Sequence, residues 1–281
     1  MSKTIMVFPA DTHSGSTVGL MPPEPWVLDS STPDEPAQYV PSRAQHIIWE
    51  QWAECWQIIK RLRNRGDRVI ITMMGDAVDG KHHETSELVT QRTEEQERIF
   101  IECMLYALKV IKFGKSDLLQ FISGTPVHVG EMAQSERRIA NDMEVKIYDR
   151  LKCEVNGVKF DLAHDGLSVG RRAWTDSNTL RSVIKSMLFD SLLHQQDMAD
   201  YVIRAHRHNY MPPEPFERGE YKTSGVVCPA FQLKTNYGSR YTASNNKPPD
   251  IGMFIVVIED DGSHYHLCPR VKWPKERYVK I

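Results

Sequence analysis

The fold turns on the stretch RVIITMMGDAVDGKHH, from Arg68 to His83. Val69 to Met74 reads VIITMM, apolar but for one threonine and β-branched in its first four residues. A run this short, closed by a glycine, reads as a core strand. Its tip carries Gly75, Asp76, Asp79, Gly80 and the pair His82 and His83. Carboxylates and imidazoles at the tip of a buried strand lose hydration and need partners of their own.

The same design recurs outward from this stretch. An apolar strand from Thr4 to Pro9 ends in Asp11-Thr12-His13. Helices are expected over about Ala44 to Arg65 and Thr93 to Lys112, where apolar residues recur at helical spacing, each closed by a glycine, Gly66 and Gly114. The strand LLQFISG, Leu118 to Gly124, runs into Thr125-Pro126-Val127-His128. This β-α-β-α-β alternation argues for an α/β layered fold. The second half is mostly strands, which suits a second sheet packed on the first. A hairpin turns at Asn156-Gly157 and ends at His164. A helix over Asn178 to His194 comes next, then YVIRAH, which ends in His206 and His208. SGVVCPAFQL, Ser224 to Leu233, and a final hairpin at Asp261-Gly262 complete the strands.

Five polar clusters thus succeed five apolar runs. Ligand sites in α/β sheets assemble at the carboxyl ends of strands. Aspartates and histidines gathered there make an oxygen and nitrogen donor set, and a carboxylate shared by two divalent cations with imidazoles around it is a two-metal arrangement. Glycines beside the ligands let the chain turn sharply and a substrate come close.

The order of these clusters resembles the calcineurin-like metallophosphoesterase family, whose pattern is D-x-H, G-D-x-x-D, G-N-H-[DE], a lone H, and G-H-x-H. The match runs from Asp11 to His208, with Ala205 in place of the last glycine. The third block departs: Thr125 stands at the asparagine position and His128 comes two residues late. The resemblance implies a layered αββα sandwich of two mixed β-sheets flanked by helices, as one domain over residues 1–281. It implies two divalent cations, manganese first and iron or zinc as alternatives. Asp11, His13 and His208 would hold one, Asp76 would bridge, and His164 and His206 would hold the second with help from Thr125 or His128. The reaction implied is hydrolysis of a phosphate ester by metal-activated hydroxide, with His128 as the catalytic proton donor if it loops back to the leaving oxygen. Asp79 reads as orienting a ligand rather than being one.

The residues also limit the substrate. His82 and His83 read equally as substrate contacts at the rim or as an exposed loop pair. Arg171 and Arg172, close after His164 and beside Trp174, suit phosphate groups or a stacked base. Together with the proline-rich segment from about 14 to 43, they favour a phosphodiester of nucleic acid or a nucleotide. The alternatives are a phosphomonoester, or a binding protein that kept the fold and lost the activity. The composition, 41% hydrophobic and 26% charged with a net charge of −2, suits a globular chain and excludes a broad basic field for nucleic acid. No apolar run is long enough for a membrane span. No signal peptide is visible, and the five scattered cysteines suit a reducing, cytoplasmic setting.

Overall fold

The computed structural model describes residues 2–28, 37–81, 87–164, 178–235 and 248–273. The VIITMM run has no period-two alternation because both of its faces are buried. It forms β4 (Arg68–Met73), beside β1 (Lys3–Phe8). In β1, Ile5 and Val7 pack into one apolar cluster while Met6 and Phe8 pack into another on the opposite face. The remaining elements are the ribbon β2 (Trp26–Val27) and β3 (Gln38–Tyr39), α1 (Arg43–Leu62), α2 (Thr93–Ile111), β5 (Leu118–Ile122), the single turn α3 (Pro126–Val129), α4 (Gln134–Asp142), β6 (Lys146–Tyr148), β7 (Arg150–Val155), β8 (Val158–Ala163), α5 (Asn178–His194), β9 (Tyr201–Arg204), β10 (Met211–Arg218), β11 (Tyr221–Val227), β12 (Phe254–Glu259) and β13 (His264–Leu267).

One sheet has the order β13-β12-β1-β4-β5-β6, the other β10-β11-β9-β8-β7. In the first, β1, β4, β5 and β6 run parallel and β12 joins β1 antiparallel. In the second, β8, β9 and β11 run parallel, with β7 and β10 antiparallel at its edges. The sheets meet through Met6, Phe8, Ile70, Phe254 and Val256 on one side and Phe160, Leu162, Ile203 and Val226 on the other. Helices α1 and α2 cover the outer face of the first sheet, where Trp52, Trp56, Ile59 and Phe100 pack on Val7, Val69, Ile71 and Phe121. Helix α5 covers the outer face of the second, with Leu180, Ile184 and Leu188 on Val202 and Val227. The layers are α, β, β, α, as the resemblance implied. Helix α1 begins in a complete capping box, Ser42 to the Gln45 backbone and the Gln45 side chain back to Ser42. The hairpin β7–β8 turns on Asn156 and Gly157, both at positive φ (48° and 82°), the geometry of a two-residue type I′ turn.

Besides the β2–β3 ribbon, which forms in a proline-rich segment where no regular structure is expected, four elements depart from the sequence reading. Strand β10 carries Pro212, Pro213 and Pro215, residues that argue against a strand; it lies at the sheet edge, where the missing donors cost little, and its pairing is shifted between Met211 and Glu214. Helix α4 and strand β6 form in the polar sequence after His128, where no element is expected. Strand β11 stops at Val227 instead of continuing to Leu233, because Pro229 comes next but one. In the segment from 14 to 43, Trp26, Leu28 and Tyr39 pack on Met21 and Ile99, while Val27 is exposed; residues 29–36 lie outside the described ones. All five cysteines are free thiols, and no described helix is long and apolar enough to cross a membrane.

Candidate metal centre

The parallel neighbours β1, β4 and β5 deliver their carboxyl ends to one edge of the first sheet, and the parallel pair β8 and β9 do the same for the second. Asp11 and His13 come after β1, Asp76 and Asp79 after β4, Thr125 and His128 after β5, His164 after β8, and His206 and His208 after β9. The loops after β1 and β4 are laced together: the N–H groups of Asp11, His13 and Ser14 donate to the carbonyls of Gly75, Asp76 and Ala77, each at 3.0 Å. Asp11, His13, Asp76, His206 and His208 all adopt left-handed backbone, with φ between 43° and 69°. That region is unfavourable for side-chain-bearing residues and is found where function constrains the chain.

The side chains converge. His164 Nε2 lies 3.0 Å from Asp76 Oδ2, and His206 Nδ1 lies 3.7 Å from the same oxygen. His13 Nε2 lies 3.2 Å from His208 Nε2. Asp11 Oδ2 accepts from the His206 N–H. Asp11 Oδ1 is buried without a well-formed hydrogen bond, ringed by Nε2 atoms of His208, His164 and His13 at 3.4, 3.9 and 4.0 Å. Three overlapping groups have ligand atoms all within 4.8 Å of one another: Asp11, Asp76, His164 and His206; Asp11, His13 and His208; and His13, Asp76 and His128. A buried carboxylate oxygen facing three imidazole nitrogens, in a pure oxygen and nitrogen donor set, fits a divalent cation.

A further set of contacts aims these ligands. His164 Nδ1 donates to the Met74 carbonyl at 2.5 Å, leaving Nε2 toward Asp76. Asp79 Oδ1 lies 3.1 Å from His13 Nδ1 and accepts from Gln232 Nε2 at 3.0 Å. His128 Nδ1 lies 2.9 Å from the Asp79 carbonyl. A carbonyl can only accept, so Nδ1 carries the proton and Nε2 the lone pair. The Thr125 N–H and hydroxyl both donate to the Asp76 carboxylate, the N–H at 2.7 Å and the hydroxyl at 3.0 and 3.1 Å to its two oxygens.

Burial would raise the Asp76 carboxyl, but the His164 imidazole beside it holds it well below the usual range. Burial would lower His164, and Asp76 outweighs it, pushing the imidazole up to about 10. Burial and the neighbouring His13 lower His128 to about 4. Burial and the Asp76 charge raise Glu136 to about 7.

The predicted ligands Asp11, His13, Asp76, His164, His206 and His208 are therefore brought together, with Thr125 and His128 beside them. His82, His83, Arg171 and Arg172 lie outside the described residues. Arg204, which flanks the last histidines in sequence, is 4% exposed and turned onto Asp161 and the carbonyls of Asp161 and Ile203. Arg181 forks onto Glu214. Sequence reasoning missed Gln232 and Glu136. Neither lies in a ligand cluster, and their spacing carries no signal.

No family model matches the chain, and no curated protein matches it. Among solved structures, a novel archaeal phosphodiesterase is similar at 13% identity, covering 94% of this chain and 99% of that one with a TM-score of 0.38. A metallophosphoesterase from Sphaerobacter thermophilus is similar at 8% identity, covering 96% and 89% with a TM-score of 0.35. The two-sheet sandwich and the order of the strands that carry the clustered side chains are those that the resemblance in sequence implied.

Proposed function

We propose that the chain is a two-cation phosphoesterase whose substrate is a phosphodiester of a nucleotide or nucleic acid. One observation carries the reading: seven ligand-type side chains from five strand ends fall into three groups that share Asp11, Asp76 and His13. Shared ligands suit two cations side by side, whereas a lone zinc ion needs three or four donors and no overlap. Asp11, His13 and His208 would hold one cation and His164 and His206 the other, with Asp76 between them. Divalent cations so held supply a nucleophile at neutral pH and neutralise charge on the phosphate oxygens. Manganese is our assignment, and the same donors accept iron or zinc.

The chain's own residues do the rest. Asp79 and the Met74 carbonyl fix the rings of His13 and His164. Thr125 is assigned to hold Asp76, since its hydroxyl already donates to both carboxylate oxygens. His128 is assigned as an acceptor at the cluster in place of the proton donor expected from the sequence, because it presents a lone pair at Nε2 and burial disfavours its imidazolium. The choice of a diester rests on Arg171, Arg172 and Trp174 and on the proline-rich segment, as read from sequence. The free thiols support a cytoplasmic setting.

The test compares bis-p-nitrophenyl phosphate, p-nitrophenyl phosphate and labelled single- and double-stranded DNA with manganese present. Diester turnover is expected to exceed monoester turnover. Faster monoester hydrolysis with DNA left intact would overturn the diester assignment, and metal binding without any turnover would favour a binding protein.

Loading the site should release protons. His164 is raised above its ordinary value of 6.5 to about 10, so its imidazolium adds to the stability of the metal-free fold below pH 6.5, and that contribution fades as pH rises through about 10. A cation taking Nε2 competes with this proton, so affinity for manganese should climb between about pH 7 and 9, with about one proton released by this site. Calorimetric titrations in two buffers of different ionisation enthalpy measure that release, and identical heats in both would contradict it.

A further inference from the structure

We infer that Glu136 is a positioning residue of the metal centre, its carboxylate clamping together the loops that carry Asp76 and Thr125. Glu136 lies in the first turn of α4 and is 1% exposed. One of its oxygens accepts from the Ala77 N–H at 3.1 Å and the other from the Gly124 N–H at 2.6 Å. Ala77 is the residue after Asp76, and Gly124 is the residue before Thr125, which itself donates to Asp76 through its N–H and hydroxyl. The contacts close a ring: Asp76, Ala77, Glu136, Gly124, Thr125 and back to Asp76.

The residue type matters. A carboxylate offers acceptors on both oxygens, whereas an amide accepts on one side and donates on the other. Once ionised, above about pH 7, Glu136 can therefore satisfy two converging N–H groups where glutamine would satisfy one. The loops it joins are already in contact: a Cβ on Gly124 would lie 2.3 Å from both the Asp76 nitrogen and its Oδ1. Small shifts in either loop therefore pass directly to the Asp76 carboxylate.

Helix α4 is built to hold this carboxylate in place. Left-handed backbone at Met132 and Ala133, φ 56° and 54°, turns the chain into the helix just before Glu136. On another side of α4, Arg138 forks onto Glu97 of α2 at 3.1 and 2.5 Å. Glu97 has an arginine for its charge, while the bonds of Glu136 are to backbone N–H groups of two ligand loops. A buried carboxylate is costly to keep, and here it sits against the loops of the metal centre.

The effect on metal rests on the two-cation reading; the clamp itself does not. The Glu136→Gln variant is compared with wild type by hydrogen exchange over the segments holding Ala77 and Gly124, and by manganese binding. Exchange there should quicken about tenfold, since one buried N–H loses its acceptor. Manganese affinity should fall about 10–100-fold, the usual effect of removing a partner that orients a ligand. Glu136→Asp keeps the charge but is one methylene short, so it should show the same loosening to a smaller degree and serves if the amide variant does not fold. Arg61→Ala is the control: its pair with Glu54 lies exposed on α1, so exchange at Ala77 and Gly124 and manganese affinity should both stay within about twofold of wild type. Wild-type exchange and wild-type affinity in Glu136→Gln would overturn the inference. Wild-type protein that binds no manganese would overturn the two-cation reading, and the exchange comparison would still decide the clamp.

Discussion

Replacing Asp76 with asparagine is expected to cost at least about 10³-fold in turnover and to remove at least one of two bound manganese ions. Outer partners of metal ligands are worth about 10–100-fold each, and a ligand shared by both cations is worth more. The substitution preserves shape and removes one charge. Asp76 accepts from the Thr125 N–H, the Thr125 hydroxyl and His164 Nε2, so an amide nitrogen in its place must face a donor on whichever side it points. It also belongs to two of the three ligand groups. Equilibrium dialysis of variant and wild type against manganese, with turnover of bis-p-nitrophenyl phosphate on the same samples, measures both effects. Equal metal content in the two proteins would contradict a bridging role for Asp76.

Gly75→Ala should be among the most damaging of the small substitutions in the ligand loops. Gly75 has φ +91°, and a Cβ there would lie 2.4 Å from His164 Nδ1 and 2.9 Å from the Gly124 backbone. The His164 ring is pinned through that same nitrogen to the Met74 carbonyl, so it cannot swing aside without losing the bond that aims it. Left-handed strain contributes about 1 kcal/mol and overpacking about 1–3 kcal/mol, giving a loss of about 2–4 kcal/mol in urea unfolding. Gly66 separates the two causes: it has φ +94°, and a Cβ added there would meet nothing within 4 Å, so Gly66→Ala should show the strain alone, about 1 kcal/mol. Equal losses at the two positions would mean that the collision with His164 is relieved at no cost.

Much of this architecture was legible in the sequence, and the reason is burial. Strands β1 and β4 are hidden on both faces, so they are mostly apolar, and an Asp or His soon after such a run stands out. Helices α1 and α2 each bury one stripe, which fixed their spacing. The parts that were not legible depend on position in space. Strand β10 holds three prolines that only an edge strand tolerates, and being at an edge is a property of the sheet. Helix α4 is short and mostly polar, and Glu136 looks like any surface acid until the turn at Met132 and Ala133 buries it. Gln232 reaches Asp79 across 153 residues of chain. The spacing of Thr125 and His128 leaves their roles open. Pro126 begins a single helical turn that brings His128 Nδ1 onto the Asp79 carbonyl, a path that residue types alone do not encode. The left-handed backbone of five candidate ligands is equally silent, since aspartate and histidine do not announce it as glycine would.

The central claim is that these strand tips hold two cations with Asp76 between them, and that the pair hydrolyses phosphate diesters. Manganese stoichiometry of the wild-type protein, read by equilibrium dialysis while diester turnover is measured on the same samples, tests it most directly. The expected result is two equivalents bound, with turnover rising as the second is filled. Saturation at one equivalent with full turnover, or no binding at all, would contradict it.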